Sequence, residues 1–167
     1  MSKRVFQFSL LLAILAIPVF IFLFLKSFGK NQFDIPYYHS EGVSLPFTDC
    51  EYPRDTFRVN LSDVNSKRAN VTLFFRQDAE FALSDLNNVR SRLKSLFSSD
   101  MSFITHDYNA ALDSTLFKKL MHCGFVTDTI NQFILHDQRG RIRGYYNTDL
   151  EELDRLIVEI KILLENE

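Results

Sequence analysis

Cysteine is almost missing from this chain: 167 residues carry two, Cys50 and Cys123. One pair can close a single bond in an oxidising compartment, but two cysteines are no disulfide framework. Proline is scarce, and none of the four lies beyond Pro53. No internal repeat or low-complexity tract is present, which excludes solenoid architectures. Positive charge is not in excess either. Beyond Lys26 the chain keeps 16 of its 19 basic residues and all 21 acidic ones, a balance near −5. That balance argues against nucleic acid and against docking on anionic lipid. Finally, no charge of either sign occurs from Val5 to Leu25.

That charge-free run has 21 residues, of which only Gln7, Ser9 and Pro18 are not apolar. As a helix it would span roughly 30 Å, the thickness of a bilayer core. Its end, Phe20 to Leu25, leads into Lys26 without a small-residue cleavage site, so an uncleaved transmembrane anchor is expected rather than a removed signal. Lys3 and Arg4 precede the run and Lys26 and Lys30 follow it, so charge leaves the orientation nearly undecided. The expected organisation is a tail plus anchor over 1–29, a polar linker over 30–44 and one folded domain over 45–167. The 138 residues after Gly29 are enough for a real core.

The domain reads as alternating strands and helices. Phe57–Leu61 alternates apolar and polar residues as a half-buried strand does. Asn70–Phe75 (NVTLFF) is a compact β-branched and aromatic run, hence a buried strand. Ala82, Leu86, Val89, Leu93, Leu96 and Phe97 step by three and four, predicting a helix over about Ala79–Ser98. Met101–His106 is a second strand. Asn109 or Asp113 caps a short helix reaching His122, with Gly124 as its stop. Phe133–His136 and Arg141–Tyr146 form a hairpin around Asp137-Gln138-Arg139-Gly140, where Gly140 supplies the positive φ. Thr148 caps a closing helix with Glu151 completing a capping box, and Leu150, Leu153, Leu156, Ile157, Ile160, Leu163 and Leu164 share one face. The order β-α-β-α-β-β-α, with a right-handed crossover in its first half, predicts an α/β domain: a central mixed sheet flanked by helices in the thioredoxin-like manner.

The hairpin wording GRIRGYY, the closing helix, the strand VTLFF and the tethering helix resemble the SCO/SenC family. These are membrane-anchored, thioredoxin-fold copper chaperones of cytochrome c oxidase assembly. The resemblance covers roughly Leu45–Glu167. It implies a bacterial inner-membrane protein, single-pass, with its C-terminal domain in the periplasm. The family places C-x-x-x-C after the first strand, where a helix N-terminus favours the thiolate that binds Cu(I). Here the loop reads FFRQDAEFA, and those positions fall on Asp78 and Ala82. The family's third ligand, a histidine, falls on Thr129. The segment between the long helix and the hairpin is also shorter than in the family. A redox thioredoxin would need a proline facing its cysteines, and none follows Pro53.

The resemblance with these substitutions implies a degenerate site with no catalytic residue and no cofactor. The expected role is that of a non-enzymatic binding or assembly factor with a protein partner in the cell envelope, in respiratory oxidase assembly. Two alternatives keep chemistry. One is a copper carrier with displaced soft ligands drawn from Cys50, Cys123 and His122 or another histidine; the other is a thiol–disulfide oxidoreductase. The bland readings are that Cys123 is a small core residue and His122 an exposed helix-end cation. By the same reasoning Asp78 and Glu80 serve a helix dipole, and Arg139, Arg141 and Arg143 form a solvated basic strand face.

Overall fold

A computed structural model describes residues 3–28, 35–44, 47–60, 67–77, 81–108 and 114–166. The chain divides into two compact units, Met1–Phe33 and Asp34–Glu167. The first is one helix, α1 (Lys3–Phe28), 26 residues long. Its described side chains are Gln7, Leu12 and those of residues 14–24, and all but Ala16 are exposed. Among the described residues no helix is long and apolar enough to cross a membrane. The expected span over 5–25 is therefore unsupported at that level, and part of that run lies outside the described side chains.

The second unit is a four-stranded mixed sheet flanked by helices. Its elements are β1 (Ala69–Phe75), α2 (Leu83–Phe97), β2 (Met101–Asp107), α3 (Ser114–Lys119), β3 (Phe133–Asp137), β4 (Ile142–Tyr146) and α4 (Leu150–Asn166). A single π-helical turn, Leu120–Gly124, extends α3. The strands lie in the order β2-β1-β3-β4. β1 and β2 are parallel, with Ala69 opposite Met101, while β3 is antiparallel to both β1 and β4. The expected element order and mixed sheet are observed.

β1 is buried along its whole length, which explains its unbroken apolar reading: a central strand packs on both faces. Period-two alternation then sorts its side chains. Ala69, Val71, Leu73 and Phe75 join Phe133, Leu135 and Tyr146 on the face covered by Leu86 and Leu93 of α2 and Leu153, Leu156, Ile160 and Leu163 of α4. Phe74 faces the other way, with Ile134 and Ile142, against Phe117, Met121, Phe125, Phe57 and Val59.

The second face differs from expectation in what covers it. The described part of the expected linker packs on the domain. Tyr38 N–H donates to the Ile142 carbonyl at 2.8 Å, and Val59 N–H donates to the Gly140 carbonyl at 2.8 Å. Gly140 has φ +75°, and a Cβ there would sit 2.4 Å from the Val59 carbonyl oxygen. Only glycine admits both the turn and this close approach.

Several boundaries shift. α2 begins at Leu83 rather than Ala79. Asp85 accepts the Ala82 N–H at 3.0 Å and so fixes the first turn there; Asp78 and Glu80 lie outside the described residues, as do Asn109 and Asp113. α4 is capped by Asp149, not Thr148, because Asp149 Oδ1 accepts the Glu152 N–H at 3.0 Å. Gly124 closes the π-helical turn, but the left-handed residue after it is Val126, with φ 53°. A β-branched side chain is strained in that region.

Candidate functional site

The carboxyl end of β1 meets the amino end of β3 and the end of β4, because β3 runs against both. A cavity of about 350 Å³ opens there, lined by Phe81, Thr129, Ile130, Asn131 and residues 147–149. Ligands of open α/β sheets favour this end of the strands. Asn131 shapes the floor. With φ 58°, it donates its backbone N–H to the Phe74 carbonyl at 2.8 Å. Its side chain accepts the Arg76 N–H at 2.9 Å and donates to the Arg76 carbonyl at 2.8 Å. Thr129 donates its N–H to the Thr127 hydroxyl at 3.1 Å.

Of the residues expected to stand in the degenerate ligand positions, only Thr129 lines this cavity. Ala82 is the N-cap of α2 and follows the lining residue Phe81 without lining the cavity itself, and Asp78 is outside the described residues. Their chemistry does not fit copper. A methyl group and a hydroxyl supply neither thiolate nor imidazole. The described lining consists of a phenyl ring, an isoleucine, amides, hydroxyls and the Asp149 carboxylate. Such a surface can hydrogen-bond and stack but carries no redox group of its own.

The remaining soft-ligand candidates lie on the second sheet face. Cys50 and Cys123 are joined as a disulfide, with Cα atoms 5.2 Å apart and a sequence separation of 73. The pairing left open by the sequence is therefore closed, and while bonded neither sulfur is a thiolate ligand. Restricting a loop of this length removes unfolded-chain entropy worth about 4 kcal/mol. His122 is not exposed as expected. It is half-buried, and its ring stacks on Phe47 with centroids 4.1 Å apart and planes 7° from parallel. Its carbonyl accepts the Tyr52 hydroxyl at 2.8 Å. Among the described residues no group of three or more His, Cys, Asp or Glu is placed to hold a metal ion.

The other histidines are spread along the same face. His106 stacks on Phe74 at 5.1 Å, and burial lowers its pKa. Burial also lowers that of His39. Tyr145 donates its hydroxyl to the Phe125 carbonyl at 3.0 Å and lies 3.2 Å from His39 Nε2. His136 is wholly buried. Its Nε2 meets Thr72 Oγ1 at 3.2 Å, and its Nδ1 has no hydrogen-bond partner among the described residues. Burial drives its pKa down to about 4, against a smaller opposing influence from Asp137. It is therefore a neutral, structural imidazole at neutral pH.

The basic hairpin reading needs correction. Arg143 is only 4% exposed, and its Nε lies 3.0 Å from Asp137 Oδ2, while Arg141 Nε lies 2.6 Å from the same oxygen. Asp137 Oδ1 accepts the backbone N–H groups of Arg139 and Arg141 at 2.8 and 3.0 Å. Burial would raise the Asp137 carboxyl. The hydrogen bonds from Arg141 and Arg139 and the Arg141 charge outweigh it and hold the pKa below the usual value. Arg143 also donates to the Ile35 carbonyl, and both guanidinium groups lie over the Tyr37 ring at 5.2 and 5.8 Å. The cluster ties the incoming chain to the hairpin. Sequence reasoning missed it because Tyr37 and Ile35 are more than a hundred residues away. The available signal was the acid at the start of a turn followed by arginines at alternate positions.

In comparisons with known proteins, no family model, no curated protein and no solved structure matches the chain.

Proposed function

We propose that this chain is a membrane-anchored, thioredoxin-like binding protein, similar to SCO/SenC proteins but with an emptied metal site, acting as an assembly factor in the cell envelope. The observation that carries the reading is the cavity at the end of β1. Its lining includes Thr129, one of the three positions that the resemblance assigns to copper ligands, beside Phe81, on a sheet ordered β2-β1-β3-β4. Amides, hydroxyls, one carboxylate and an aromatic ring there suit an extended peptide from a partner better than electron transfer. The anchor reading rests on α1. A 26-residue helix is roughly 39 Å long, and its central 21 residues carry no charge. The domain faces the periplasm and the partner belongs to respiratory oxidase assembly.

Affinity capture of the full-length protein from bacterial membranes tests the role. Recovery of an oxidase subunit or a copper-handling protein, reduced by Thr129→Arg in the cavity, is expected. Capture that ignores Thr129→Arg, or that returns no respiratory component, would reject it. Alkaline extraction tests the anchor: the full chain stays with the membrane pellet. The copper alternative, with Cys50, Cys123 and a histidine as ligands, predicts tight Cu(I) retention by the reduced protein that double Cys→Ser replacement abolishes.

A further inference from the structure

We propose that the Cys50–Cys123 bond is a thiol-exchange site, attacked at the Cys50 sulfur, and that it latches a surface loop whose base holds without it. This inference does not rest on the assembly-factor reading.

Two sets of contacts hold the loop, and they are separate. Its base is closed by backbone and side-chain bonds that involve no sulfur. Phe57 N–H donates to the His39 carbonyl at 3.0 Å, the Thr56 hydroxyl donates to the Ser40 carbonyl at 2.9 Å, and Gly42 packs against the Arg54 carbonyl. Phe57 and Val59 then enter the core. Its tip is held on the π-helical turn by the disulfide, the Phe47–His122 stack and the Tyr52–His122 bond. Opening the bond therefore leaves the tip on one ring stack and one hydrogen bond, while the base keeps all its contacts.

Both cysteines are half-buried. Cys50 alone of the two forms part of the wall of an open cavity of about 380 Å³, which gives a reductant room to approach its sulfur. Glu41 and Arg54 stand in that wall as well. Accessible disulfides are the ones that exchange, whereas enclosed ones resist. The receiving element is also unusual. A π-helical turn is a common mark of a functional position, and here it is followed, after Phe125, by Val126 at φ 53°, a conformation that persists only while its surroundings impose it.

The exchange balances with a dithiol as reductant. One of its thiolates attacks Cys50 Sγ and forms a mixed disulfide, and Cys123 leaves as thiolate. The second thiol of the reductant, deprotonated, attacks its own sulfur in that mixed disulfide. The reductant closes to a cyclic disulfide and Cys50 leaves as thiolate. Two electrons pass to the protein, and the two protons given up by the dithiol end on Cys50 and Cys123.

The test uses the full chain in detergent, without denaturant. Glutathione, a monothiol, should trap an adduct on Cys50 in preference to Cys123, read by peptide mass spectrometry. Dithiothreitol should then expose both thiols to a maleimide, with amide exchange rising at least tenfold in 43–54 and 120–127 while 133–146 keeps its protection. The double variant Cys50→Ser, Cys123→Ser should show the same pattern unreduced. An adduct on Cys123, no reduction before the protein unfolds, or exchange rising throughout the hairpin would each overturn the proposal.

Discussion

The two faces of the sheet are built by different means. On one, α2 and α4 lay leucines and isoleucines onto Val71, Leu73, Phe133 and Leu135, and apolar burial does nearly all the work. On the other, α3 is only six residues long. Beside it and its π-helical extension lies irregular chain from the described residues of 35–44 and 47–59, held by a buried ion-pair cluster, a disulfide, aromatic stacking and single backbone bonds. A regular helix satisfies its own backbone and needs only an apolar stripe to dock. An irregular segment must find a partner for each polar group it buries, so this face collects specific contacts.

The largest effect that separates the faces belongs to Asp137. Asp137→Ala leaves two arginines without their carboxylate and should cost about 3–5 kcal/mol in urea unfolding. A cost below about 1 kcal/mol would mean that the hairpin arginines are solvated and that the polar face is not held as described. Next come matched truncations. Leu156→Ala on the helical face should cost about 3 kcal/mol, and Met121→Ala on the irregular face nearer 2, since the cost of a cavity depends on how well its walls collapse. Equal losses would erase that distinction.

Acid should act through the irregular face first. His136 takes up a proton near pH 6.5 when unfolded but only near 4 when folded. Between those values the unfolded chain binds more protons, so stability falls as pH falls, by about 3 kcal/mol in all. His39 and His106, both lowered by burial, act in the same direction. Asp137, with its depressed carboxyl, contributes only below about pH 4. In His136→Gln the loss between pH 7 and 5 should shrink by more than half; an unchanged slope would place the effect elsewhere. The smallest effect is at the cap of α4. Asp149→Ala should cost about 1 kcal/mol, and Thr148→Ala within about 0.5 kcal/mol of nothing, both by thermal unfolding.

The same division explains what could be read from the chain. β1, α2, β2, the hairpin with Gly140 and α4 carry their periodicity or turn residue locally, and the structure returns each within a few residues. The cap moved from Thr148 to Asp149 because both are good capping residues and one residue of register decides. Residues 35–44 read as a polar linker because nothing nearby shows that Tyr37 lies against Arg141 and Arg143, or that Ile35 meets Arg143 108 residues later. Arg141 and Arg143 looked solvated because alternation marks a face but does not say what covers it. The cavity was hardly legible: of its lining only Thr129 had been singled out, as a position that the resemblance assigns to a ligand, and Asn131 depends on a left-handed backbone that no pattern announces.

The bonds from Ile35, Tyr38 and Val59 to the hairpin also set an order of events. These residues are made well before their partners, Gly140 to Arg143. Until then Phe57 and Val59 have no hairpin to pack on, and closing so long a loop is slow. The second face of the domain is therefore completed only once the hairpin has emerged, which makes the segment carrying Tyr38, Phe57 and Val59 the one that a chaperone meets exposed.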